Sequence, residues 1–168
     1  MSPEPSNSPE PAEPAPSAEV AEPAPPAEAG VGKLPKIRET SLCPCKSLRS
    51  YGDCCAPFHY GQALPGTAEQ LMRARYSAYF FGRIDYLVET THRDSRTPRL
   101  REEIQAMADE VKWQFLTIHR VSKGGPEDKT GKVEFTAVFY HEGQPREHHE
   151  VSRFRRSRGI WKYVDAKG

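Results

Sequence analysis

An α+β fold, with helices first and an antiparallel sheet after them, is predicted by two changes of pattern along the chain. Between residues 67 and 111 apolar side chains recur at helical spacing, and from Trp113 onward they alternate with a period of two. A third observation sets the start of the folded part. All four cysteines lie within thirteen positions, Cys43, Cys45, Cys54 and Cys55, while the 32 residues at the N-terminus hold nine of the sixteen prolines and no aromatic residue.

That first segment, residues 1–32, is rich in Pro, Ala and Glu and has too few apolar side chains to offset the entropy of ordering, so it reads as a disordered, partly extended tail. It carries six glutamates and no Lys or Arg, which divides the formal charge of +1 into −6 for the tail and +7 for residues 33–168. A basic folded part suits an anionic partner, with the tail competing for the same surface. No apolar run is long enough to cross a membrane, and no basic start followed by an apolar stretch suggests secretion, so a cytoplasmic location is expected.

The cysteines follow the pattern C-x-C, eight residues, C-C. Thiolates are soft ligands, and four of them on one short loop suit a closed tetrahedral zinc site. Disulfides compete poorly, because adjacent pairs leave only short cross-links and the expected compartment is reducing. A catalytic thiol has no His-Asn or His-Asp partner nearby. The zinc is therefore expected to be structural, with His59 packing beside Phe58 rather than serving as a ligand.

The stretch Cys43-Pro44-Cys45-Lys46-Ser47 through Tyr51, Cys54 and Cys55 resembles the SEC-C motif, a small zinc-binding element found at the C-terminus of the SecA translocation ATPase and in several bacterial proteins. Lys46 and Leu48 stand where that motif usually has glycines, so its first turn is expected to form without the customary positive-φ residues.

Thr67-Ala68-Glu69-Gln70 is a capping box opening a helix that ends at Gly82, with Met72, Tyr76, Tyr79 and Phe80 on its apolar stripe and Arg75 reaching something polar. A short helix follows from Asp85 to Thr91. A third begins at Pro98, in the first helical position, and presents Leu100, Ile104, Met107 and Val111. Strands are expected at 113–121, 132–141, 146–155 and 160–164, with tight turns at Glu142-Gly143 and Ser157-Arg158-Gly159. If Phe154 pairs near Trp161 or Tyr163, then Glu150, Ser152, Phe154, Trp161, Tyr163 and Asp165 share one face and Val151, Arg153, Lys162 and Val164 the other.

Leu71 to Tyr79, Ile84 to Leu87, Val133-Glu134-Phe135, His149-Glu150-x-Ser152-x-Phe154 and Gly159-x-Trp161-x-Tyr163-x-Asp165 together resemble the YchJ-like family of small bacterial proteins. The resemblance implies a SEC-C element, here residues 40–62, followed by a domain at 66–168 similar to nuclear transport factor 2 and ketosteroid isomerase: a helix-lined cone of curved antiparallel sheet. It implies no activity.

Two function classes follow. The first is an interaction module or adaptor with a structural zinc and a basic surface, in which Arg153, Arg155, Arg156 and Arg158, with Lys46, Arg49 and Arg73, contact a protein, the ribosome or RNA. The second is a small-molecule-binding protein or enzyme with a pocket formed by Arg75, Tyr79, Glu150, Ser152, Trp161, Tyr163 and Asp165. There a desolvated carboxylate, Glu150 or Asp165, would move a proton. His149 points away from Glu150 on a regular strand, and His148-His149 cannot form a metal pair for the same reason. The module ranks first because no complete acid/base constellation is visible.

Overall fold

The computed structural model describes residues 39–167; the tail expected at residues 1–32 lies outside them. Four helices precede four strands: α1 (Ala56–His59), α2 (Ala68–Phe80), α3 (Ile84–Thr90) and α4 (Leu100–Glu110), then β1 (Val111–Lys123), β2 (Thr130–His141), β3 (Gln144–Ser157) and β4 (Ile160–Lys167). A 3₁₀ turn, Arg93–Ser95, joins α3 to the approach of α4.

The capping box forms with one change. Thr67 Oγ1 accepts from the Gln70 amide at 3.1 Å, but the Gln70 side chain reaches past Thr67 and accepts from the Gly66 amide at 2.7 Å. Pro98 is not the first helical residue of α4, since Arg99 is its N-cap. The segment 56–59 makes a single helical turn.

The strands form one antiparallel meander in the order β1-β2-β3-β4. Each is longer than the apolar alternation suggested, because paired polar residues continue the ladders beyond the buried stretch. The two short hairpins turn on Glu142-Gly143 (φ 51° and 74°) and Arg158-Gly159 (φ 51° and 81°), the double positive-φ pair that matches the right-handed strand twist. On the face toward α2 lie Val133, Phe135 and Ala137 of β2 opposite Ser152, Glu150 and His148 of β3. Trp161, Phe154, Leu71 and Val133 are almost fully buried between helix and sheet.

One irregularity in β4 decides where a carboxylate goes. Phe154 pairs with Tyr163, but the next pair is Arg153 with Asp165, so Val164 is an extra residue in the ladder. A bulge of this kind reverses the alternation for everything after it. Asp165 is therefore on the face of Arg153, opposite to the one expected from a regular strand.

The cysteine loop folds onto the same core, with Cys43, Cys45, Tyr51 and Cys55 buried among α2 side chains. Its turn contradicts the expectation from the missing glycines. Lys46 (φ 61°) and Leu48 (φ 65°) adopt the left-handed conformation themselves. For an L-residue this costs roughly 1 to 2 kcal/mol. The bonds Cys43 N to Arg49 O at 2.8 Å and Lys46 N to Cys43 O at 3.1 Å hold the turn in spite of that cost. Leu48 is 84% exposed, so its side chain returns little. Leu48→Gly should raise the unfolding free energy by roughly 0.5 to 1 kcal/mol, after the greater unfolded-state entropy of glycine is subtracted, and Leu48→Val should lower it. Denaturant titration of the metal-loaded protein checks both.

Candidate functional site: a thiolate cluster beside an aromatic cavity

The four cysteine sulfurs lie within 4.8 Å of one another, and all four cysteines are free of disulfides. Cys45 and Cys54 sulfurs are 3.6 Å apart, and those of Cys54 and Cys55 3.8 Å. Tetrahedral metal–sulfur bonds of about 2.3 Å require sulfurs separated by about 3.8 Å. The donor set thus fits one metal ion. The four thiols also influence one another's protonation. Hydrogen bonding from Cys43 lowers the thiol pKa of Cys45 and brings that of Cys54 to about 7. Hydrogen bonding with Cys45 raises that of Cys43, and hydrogen bonding with Cys43 raises that of Cys55. The cluster without a cation thus favours two thiolates and two thiols, and a bound metal ion would stabilise all four as thiolates.

The loop is pinned to the helix layer through His59. Tyr51 donates its hydroxyl to Nδ1 of His59 at 2.8 Å, and Nε2 donates to the Ala74 carbonyl at 2.7 Å. Both ring nitrogens are occupied, as a packing role requires. Arg73 adds a second tie, donating to the Cys45 carbonyl at 2.9 Å.

On the other side of α2, helices and sheet enclose a cavity of about 250 Å³. Its walls include Tyr76, Tyr79, Trp113, Phe135 and Phe139, with Arg75, His148, Glu150, Ser152 and Tyr163 supplying the polar groups. Arg75 is only 6% exposed. Its Nη1 donates to the Leu87 carbonyl at 2.8 Å, to Thr90 Oγ1 at 2.7 Å and to Thr91 Oγ1 at 3.3 Å, and its guanidinium stacks on the Tyr163 ring 4.5 Å from the centroid. Burial lowers the Arg75 pKa and raises that of Tyr79, and it pushes Tyr163 up to about 12. Glu150 Oε1 accepts from the Ser152 hydroxyl, and Oε2 is 2.8 Å from His148 Nε2. Two further polar atoms on the cavity's walls, Tyr76 Oη and Trp113 Nε1, are buried with no hydrogen-bond partner.

Of the residues expected to form the pocket, Arg75, Tyr79, Glu150, Ser152 and Tyr163 come together. Trp161 and Asp165 do not. Trp161 is fully buried in the core, its indole donating to the Gly66 carbonyl at 3.0 Å. Asp165, turned outward by the bulge, forms a two-pronged ion pair with Arg153, and that hydrogen bonding lowers its pKa. The expectation missed His148, Trp113, Phe135 and Phe139. His148 carried a legible signal, being two residues from Glu150 and so on the same strand face. His149 points the other way, as expected, and meets Glu134 at 3.1 Å.

The basic run keeps Arg155 and Arg158 exposed, but most of its arginines have partners within the chain. Arg155 meets His92 at 3.0 Å and Asp94 at 3.2 Å. Arg156 donates to the carbonyls of Gly66, Pro126, Asp128 and Gly159 and stacks on Trp161. With Arg153 bound to Asp165, three of the four arginines are held by intramolecular partners. Arg158 forms the hairpin turn. No helix of the described residues is long and apolar enough to cross a membrane.

The family model described as YchJ, middle NTF2-like domain, matches residues 67–166. A UPF0225 protein of Geobacter sulfurreducens is 40% identical over 129 residues, covering 77% of this chain and 80% of that protein. One from Sodalis glossinidius is 44% identical over 129 residues, covering 76% and 83%. The solution structure of a SEC-C motif containing protein from Rhodopseudomonas palustris superposes with a TM-score of 0.68 at 33% identity, covering 76% of this chain and 98% of that one. The crystal structure of another, from Psychrobacter arcticus, gives 0.64 at 28%, covering 76% and 82%. The chain belongs to the YchJ family, and its cone of helices and sheet with a cysteine cluster in front is the arrangement that the resemblance implied.

Burial pushes the His59 pKa from 6.5 down to about 4. The unfolded chain takes up this proton first as pH falls, so the stability held through neutral His59 is complete above pH 6.5 and is lost progressively toward pH 4. The span of about 2.5 pH units sets a ceiling of roughly 3 to 4 kcal/mol. His59→Gln should unfold with a shallower dependence on pH between 6.5 and 4, measured by denaturant titration at each pH.

Proposed function

We propose that this member of the YchJ family is a small-molecule-binding protein that works through the cone cavity, with its four cysteines holding a structural Zn²⁺. The observation that carries the reading is a cavity of about 250 Å³ walled by aromatic rings and containing a buried arginine. Few convergent polar groups in an otherwise apolar concavity are what a small-ligand site consists of. Zinc, among soft-ligand metals, suits a closed set of four thiolates with no position left for a substrate. Four reduced cysteines are in keeping with a cytoplasmic location.

This reverses the order of the two classes expected from the sequence. Contact with a protein, the ribosome or RNA is the second reading, and it draws on the cysteine loop rather than the arginine run: Leu42 is 68% and Leu48 84% exposed there, beside Lys46. In an enzymatic version of the first reading, Glu150 is the carboxylate for proton transfer, with His148 and Ser152 orienting it.

Elemental analysis of the reduced protein should give one zinc per chain. Cys54→Ser combined with Cys55→Ser should lose it, along with much of the roughly 10 to 16 kcal/mol that such a site contributes; a fully retained zinc contradicts the assignment. In a fragment screen by ligand-observed NMR, aromatic fragments should bind the wild type and be displaced from Ala137→Leu, which fills the cavity. Ala137 lines it with no exposed surface, so the substitution should cost roughly 1 to 3 kcal/mol of stability. Unaltered fragment binding by that variant would remove the cavity from the account.

A further inference from the structure

Arg75 is a buried cation whose hydrogen bonds all leave one of its three nitrogens. Its three hydrogen bonds leave Nη1, and one face of the guanidinium lies on Tyr163. The edge formed by Nε and Nη2 carries no hydrogen bond among the described residues, in a side chain that lines the cavity and is 6% exposed. Glu150 acts on it through space, but both Glu150 oxygens are held elsewhere, by Ser152 and His148. A desolvated charge normally has a partner in contact.

Resting on the cavity as the working site, the geometry points to a small aromatic monocarboxylate as the class of ligand. The Nε and Nη2 edge of a guanidinium presents two parallel N–H groups that match the two oxygens of a carboxylate. Stacking on Tyr163 and the bonds from Nη1 fix the plane of that fork before a ligand arrives. The rest of the cavity is apolar and ring-lined, by Tyr76, Tyr79, Trp113, Phe135 and Phe139. Its 250 Å³ corresponds to about eight water-sized groups at about 30 Å³ each. That is the scale of one aromatic ring carrying a carboxylate. Glu150 sets the sign of a control: its negative charge opposes an anionic ligand, and only its engagement by Ser152 and His148 makes the neighbouring fork usable.

The test is isothermal titration calorimetry of the zinc-loaded full chain at pH 7 with benzoate and phenylacetate, each against its neutral amide of the same shape. The carboxylates should bind at least tenfold tighter than the amides. Arg75→Lys keeps the charge but not the fork and should reduce that ratio severalfold. Glu150→Gln, which leaves Arg75 and its anchors in place, should tighten carboxylate binding. Amides binding as well as carboxylates, or Glu150→Gln weakening the carboxylates, would overturn the inference while leaving the cavity as a binding site. Binding of none of the four would overturn it together with the proposed function.

Discussion

The helical layer is held to the sheet by a buried arginine. Arg75 projects from the middle of α2 and collects the carbonyl of Leu87 and the hydroxyls of Thr90 and Thr91, which lie at the end of α3. Thr91 in turn bridges to Tyr163 of β4, and the His92 amide donates to the Tyr163 carbonyl at 2.7 Å. The guanidinium on the Tyr163 ring completes a closed circuit of α2, α3 and β4. A flat, permanently charged group can satisfy one edge with neutral oxygens and still leave the other edge free, which a lysine in the same place could not do. The arrangement that ties α2, α3 and β4 together thus uses only Nη1 of a side chain that lines the cavity.

The thiolate cluster and the cavity occupy opposite sides of α2 and serve it differently. Through His59 on the Ala74 carbonyl and Arg73 on the Cys45 carbonyl, the cysteine loop grips the helix at the two residues just before Arg75. A metal ion held by the four cysteines would clamp the loop and, through these two bonds, the neighbouring helix backbone. The strain accepted at Lys46 and Leu48 is small beside what a closed four-thiolate site contributes, which explains how the turn keeps its left-handed residues without glycine.

The order and type of the elements were legible because periodicity changes from 3.6 to 2 near Trp113, and so were the cysteines, because their spacing is a metal pattern in itself. Arg75, Tyr79, Glu150, Ser152 and Tyr163 were legible as a group from strand alternation and the helix stripe. Asp165 was not, because the bulge at Val164 has no local marker such as glycine. The partners of the basic run were hidden for a different reason. Several of them, Asp94 and the carbonyls of Gly66, Pro126 and Asp128, are 25 or more residues away in sequence, and no charge count shows that they close on it. The left-handed turn at Lys46 and Leu48 was hidden by side chains that rarely adopt it.

The two tryptophans make the central claim, that this chain works through its cavity, directly measurable. Trp113 lines the cavity with its indole N–H unpaired, whereas the Trp161 indole is bonded to Gly66 in the core. In an amide and indole NMR spectrum recorded during a benzoate titration, the Trp113 indole resonance should move to saturation and that of Trp161 should stay in place. An unmoved Trp113 resonance, with shifts confined to Leu42, Lys46 and Leu48 on the cysteine loop, would contradict the account and return the function to the surface.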